Sequence, residues 1–257
     1  MCTVLNLIAN AQNKLLYYIG GWKALLVTAW IGTPIHEFSH IIAALISGHK
    51  IVDFKLFQPD ERTGTLGYVS HSYNPNNFYQ SVIGNTLIPI APFFGSALAI
   101  YLLTYFLLPG FSLYANDVPR VHYITSKNAF IWQSYVMFGK SVLVFFKFLV
   151  LKVQQAGLFS KWHFYVSLFM LFGIANHLSP SWADFQNFWH PLFAIIIFTI
   201  LLNLIILPFT RDSLSIIHVA SKYIMLATPI LLLALFISLT GFIIIYAISL
   251  ILAIFRG

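Results

Sequence analysis

The sequence predicts an all-α polytopic membrane protein of about 5–6 transmembrane helices, with a small β-hairpin in the loop after the first strongly apolar segment. Three observations predict it. Only 8% of the 257 residues are charged while 59% are hydrophobic, against roughly a quarter charged in an ordinary soluble domain. Long apolar runs recur, most of them near the ~20 residues that cross a hydrocarbon core. Between the first two runs, β-forming residues flank a strong turn sequence. So few ions cannot cover a soluble surface, which excludes a soluble enzyme and a disordered chain. Cys2, the one cysteine, can form no internal bridge and excludes a disulfide scaffold. The 14 Lys and Arg behind the net charge of +7 are spread thinly at the ends of apolar runs, as topology signals are. The expected environment is therefore a lipid bilayer, with no nucleic-acid partner.

Taken in order, Met1 to Asn13 lacks the basic region and cleavage site of a signal peptide and reads as mature sequence. Apolar runs at 22–47, 81–108, 162–177, 182–208 and 222–255 read as helices, punctuated by Gly20-Gly21, Pro109-Gly110 and Pro208. The last run, ~50 Å as a helix, exceeds the ~30 Å core and is expected to tilt, protrude or break near Gly241. Between 130 and 155, Gln133, Lys140, Lys147 and Gln154 recur every seventh residue. This polar stripe fits an interfacial helix, or a sixth span whose stripe packs inward. Polar loops remain at 49–80 and 111–126. In the first, Ile51 to Phe57 and Thr65 to Tyr73 flank the turn sequence Gln58 to Gly64, which predicts the hairpin. No repeat is visible, so one membrane-embedded domain covers 1–257, with a core at 22–208, the hairpin loop at 49–80 and a C-terminal helix at 222–255.

The chemistry is concentrated in Ile35-His36-Glu37-Phe38-Ser39-His40, inside the first strongly apolar run. Helix residues four apart share a face, so His36 and His40 can offer two imidazole nitrogens to one metal ion, with Glu37 beside them to act on water. Nine His and two Glu would produce this HExxH pattern by chance in about 0.2% of such chains. An ionised acid in mid-membrane costs about 3 kcal/mol on insertion scales, so it marks a functional site by default. The plain structural alternative is a polar cluster hydrogen-bonding between helices. A catalytic zinc usually takes three protein ligands and leaves one position open. Among the seven acids only Asp184 stands between two apolar runs, in what reads as a helix start capped by Ser179 with Pro180 first inside. Its structural alternative is to complement that helix's dipole.

An HExxH in an early apolar helix, a hairpin-like loop, a helix carrying Asn85 to Gly95 with Pro and Gly, and a late Asp near a Pro-containing helix start resemble the site-2 protease family of intramembrane zinc metalloproteases. The resemblance covers most of Trp22 to Pro208 and implies a metalloprotease domain. It implies one Zn2+ per chain held by His36, His40 and Asp184, with Glu37 as catalytic base. The implied substrate is a membrane protein or peptide cut within or near its transmembrane segments. Asp184 departs from the family pattern in being followed by Phe185, and Ala91 precedes Pro92. A substrate helix must unwind to be cut, so Thr65 to Tyr73, including Tyr68, is expected to hold it as an added strand. Asn85 is a candidate to bind its backbone or the oxyanion. His177 is the competing third ligand or, more in keeping with its position at a helix end, a neighbouring donor. The alternative class is a membrane metal or proton transporter, or a noncatalytic zinc-binding membrane protein. Transporters often carry paired broken helices, and none are visible. For the motif to meet Asp184 the chain must cross an even number of times between them, which 81–108 and 162–177 satisfy. Charge distribution favours the outer face for the metal, whereas the resemblance implies the cytosolic face.

Overall fold

The computed structural model describes residues 2–108, 132–178 and 215–256, together with Pro119, Asp184, Phe193 and Ile197. Among these are five α-helices: α1 (Cys2–Ile46), α2 (Asn85–Leu107), α3 (Trp132–Gln155), α4 (Trp162–Asn176) and α5 (Ser215–Arg256). One antiparallel sheet joins β1 (Lys50–Lys55) to β2 (Tyr68–Ser72). Three helical stretches, Val4–Ile46, Tyr79–Leu107 and Thr228–Phe255, are long and apolar enough to cross a membrane. Nearly all of the run at 182–208, most of the loop at 111–126, and Ser179, Pro180 and Pro208 lie outside the described residues.

Helix α1 is two helices joined at Gly20-Gly21, where Gly21 has φ 64° and ψ −155°, a backbone state open essentially to glycine. The break reverses the chain. Asn176 Nδ2, at the end of α4, donates to Asn13 Oδ1 at 2.9 Å. The Thr28 carbonyl comes within 2.9 Å of where a Cβ would stand on Gly173. A straight helix would separate residues 13 and 28 by about 22 Å, yet both meet the last turn of α4. The segment before Gly20 is thus a helix of its own, and its buried Gln12 donates to the Ser238 carbonyl of α5 at 2.9 Å.

Helices α2 and α4 run antiparallel. Thr104 and Leu108 near the end of α2 share a small apolar cavity with Phe164 and Leu168 near the start of α4. In α3, Phe145 and Leu149 face the core while Gln133, Lys140, Lys147 and Gln154 are all exposed. The polar stripe therefore points away from the other described helices. Of the three alternatives for the last run, tilting, protruding or breaking near Gly241, the break does not occur, since α5 passes unbroken through Gly241. The missing side chain there makes room for the Phe172 ring of α4, a packing role and not a flexible one.

The hairpin forms with shorter strands than 51–57 and 65–73. Pairing runs from Lys50↔Ser72 to Lys55↔Tyr68, with an irregularity between Ile51 and Asp53. It stops where Gly67 meets the Lys55 and Leu56 carbonyls, 2.7 and 2.9 Å from an added Cβ. The turn is closed by Asp60 N–H to Thr65 O at 2.8 Å and Gly64 N–H to Asp60 O at 2.9 Å. Gly64 supplies the φ of +72° that this turn requires.

Candidate metal centre

The HExxH segment lies on the second half of α1. His36, Glu37 and His40 are each less than a tenth exposed, at 9%, 9% and 7%, while Phe38 between them is 54% exposed. One helical face therefore carries all three polar groups inward. His36 Nε2 and His40 Nε2 stand 3.2 Å apart. Asp184 comes between them, with one carboxylate oxygen 3.4 Å from His36 Nε2 and the other 3.2 Å from His40 Nε2. Zinc–nitrogen bonds of ~2.0–2.1 Å in a tetrahedral site put neighbouring ligand atoms about 3.3 Å apart. The three side chains are therefore spaced to hold a metal ion.

The far nitrogen of each imidazole is fixed by a backbone carbonyl. His36 Nδ1 lies 3.0 Å from the carbonyl of His177, and His40 Nδ1 lies 2.8 Å from the carbonyl of Ile88. A carbonyl only accepts, so both Nδ1 atoms carry a proton, which leaves Nε2 of each neutral imidazole as the atom that can bind a metal. Close helix approach delivers these carbonyls. Gly32 of α1 meets the His177 ring and Gly173 of α4, and Gly95 of α2 meets the Ser39 side chain of α1. Neither contact leaves room for a Cβ.

Asp184 therefore lies beside both motif histidines, and His177 approaches them through its main chain. The His177 ring is turned aside, its Nδ1 donating to the Gly173 carbonyl at 3.1 Å. Asn85 opens α2, where its amide donates to Ser81 O at 3.0 Å. Tyr68 opens β2 and donates its hydroxyl to the Asp53 carboxylate across the strands, which holds the Asp53 carboxyl below its ordinary pKa. Gly67, just before Tyr68, packs on Glu37, with 3.0 Å between an added Cβ and Glu37 Cγ. The hairpin thus reaches the candidate catalytic acid. The motif pattern did not reveal Gly67, the Ile88 carbonyl or the His177 carbonyl. The signal for Ile88 was nevertheless in the sequence, since Pro92 follows it by four residues.

The end of α2 nearest Asn85 reaches the motif through Ile88, and the end of α4 reaches it through His177. The chain leaves the centre along α2 and returns to it along α4. No family model, curated protein or solved structure matches this chain.

Proposed function

We propose that this chain is an intramembrane zinc-dependent endopeptidase, similar to the site-2 proteases, that cuts membrane protein or peptide substrates within or near the bilayer. The observation that carries this reading is the convergence of His36 and His40 of the apolar helix α1 with Asp184, beside Glu37. A polar cluster there is expensive in lipid unless it is used. Zinc held by these ligands would supply a Lewis acid and bring the pKa of a bound water down toward neutrality.

The chain's own groups do the rest. Glu37 lies within electrostatic range of His36, His40 and Asp184, where it takes the proton of the attacking water and returns it to the leaving amine. The Ile88 and His177 carbonyls hold the imidazoles in the tautomer that presents Nε2. A substrate helix must surrender its own hydrogen bonds before its peptide bond is reachable, and lipid offers no replacements. The two-stranded hairpin has outer edges that supply them by strand addition, and Gly67 brings β2 against Glu37.

The test is purified protein in lipid, loaded with zinc and given a transmembrane peptide library. Glu37→Gln is expected to keep one zinc per chain and lose cleavage. Cleavage by Glu37→Gln at the wild-type rate would overturn the reading. So would a metal-dependent ion flux that Glu37→Gln alters while no peptide is cut.

A further inference from the structure

The two motif histidines donate to backbone carbonyls, and a carbonyl is the better acceptor when no helical N–H already claims it. Inside an α-helix each carbonyl is taken by the N–H four residues later. His36 meets the supply found at a helix end, since His177 is the C-cap of α4 and terminal carbonyls lack helical partners. His40 has no such end beside it. Ile88 lies in the interior of α2, which runs from Asn85 to Leu107. Residue 92, whose N–H would claim the Ile88 carbonyl, is Pro92. Proline has no N–H, so the Ile88 oxygen is left without its helical partner. It is this oxygen that lies 2.8 Å from His40 Nδ1. Pro92 itself is fully buried in α2, where a proline otherwise only weakens a helix.

We propose that Pro92 is a positioning residue for the metal centre: by withholding an N–H it frees the Ile88 carbonyl to fix His40 with Nε2 toward His36 and Asp184. The proposal rests on the metal-site reading above. Its geometry, Pro92 to Ile88 to His40, stands without the ion. Pro89, one turn earlier, frees the Asn85 carbonyl instead and makes an internal control with the same chemical change.

The experiment uses the full chain in lipid nanodiscs. Pro92→Ala restores the N–H, and nitrogen NMR of the metal-free protein reads the Nδ1–H hydrogen bond of His40 to the Ile88 carbonyl. Wild type is expected to show one strongly hydrogen-bonded Nδ1–H, and Pro92→Ala a weakened one. Chelator competition then reads zinc affinity, expected to fall about 10–100-fold in Pro92→Ala and to stay near wild type in Pro89→Ala. Replacing Pro92 with the α-hydroxy analogue of alanine has alanine's side chain but no N–H, and should restore both readouts. An unchanged Nδ1–H signal and affinity in Pro92→Ala would overturn the proposal. Equal losses with the alanine and hydroxy variants would also overturn it, because lost ring packing would then be the cause. If wild type binds no zinc while the Nδ1–H signal still shifts with Pro92→Ala, the metal reading fails and the role of Pro92 in orienting His40 stands.

Discussion

Gly67 packs directly on Glu37: a Cβ on the glycine would stand 3.0 Å from Glu37 Cγ and 2.7 Å from the Lys55 carbonyl. The hairpin backbone and the candidate catalytic carboxylate thus share one small space. A methyl group at Gly67 cannot be accommodated by a flexible side chain alone, because two of its three neighbours are backbone oxygens. Gly67→Ala should keep its metal and lose about 100-fold in kcat/KM, the scale of a ~1 Å misplacement at a reacting centre. Wild-type kcat/KM in this variant would show that the contact has no role in catalysis.

The candidate metal ligands and the acid between them make different predictions. His36→Ala and His40→Ala are each expected to strip the metal, since two remaining ligands hold zinc poorly. Elemental analysis of the purified variants checks this, and full zinc occupancy in either one removes that histidine from the site.

Asp184 and His177 make opposite predictions. Asp184 offers its carboxylate to both histidines, so Asp184→Asn should lose metal. His177 contributes its main-chain carbonyl, which His177→Ala retains, so that variant should keep its zinc. Retained zinc in the first with loss in the second would reverse the assignment.

Close packing of α1 on α4 should show in stability. A Cβ on Gly32 would lie 2.7 Å from His177 Nδ1 and closer still to the Gly173 carbonyl. Gly32→Ala is expected to cost about 1–3 kcal/mol, the range for overpacking, and to weaken metal binding as the His177 carbonyl shifts. Thermal unfolding in detergent measures the first and chelator competition the second. A Tm equal to wild type would refute the tight contact.

The hairpin should loosen in acid. His49 Nε2 donates to the Gln80 carbonyl at 2.9 Å, so its Nδ1 accepts from His71 Nδ1–H at 3.0 Å. Burial lowers the pKa of His71 below 6.5, and the neighbouring His49 and His40 lower it further. A folded state with depressed basicity binds fewer protons than the unfolded one, so stability rises with pH. The contribution is complete above about pH 6.5 and is lost as pH falls below it. Spin labels at Thr63 on the hairpin and Leu98 on α2 should give one distance at about pH 8 and a second population at about pH 5. His71→Asn, which donates without titrating, should hold the single distance at both. Identical wild-type distributions would contradict the linkage.

Local chemistry made much of this protein legible in sequence. The composition announced apolar helices, the spacing of His36 and His40 put them on one face, and the turn from Gln58 to Gly64 specified a hairpin. Each depends on residues a few positions apart, where backbone geometry leaves little choice. The paired strands are shorter than their β-forming stretches, and at the turn side pairing ends where Gly67 meets the Lys55 and Leu56 carbonyls, a contact that β-propensity does not encode. The fold-back at Gly20-Gly21 was visible as a boundary, but its direction needed Asn13 and Thr28 to meet the same turn of α4. Tertiary structure alone brought Asp184 to two histidines more than 140 positions away and aimed the Ile88 and His177 carbonyls at them. A single sequence encodes which groups can bind a metal. The meeting of those groups depends on helix packing, through contacts such as Gly32 on Gly173 and Gly95 on Ser39, whose partners are far apart in the chain.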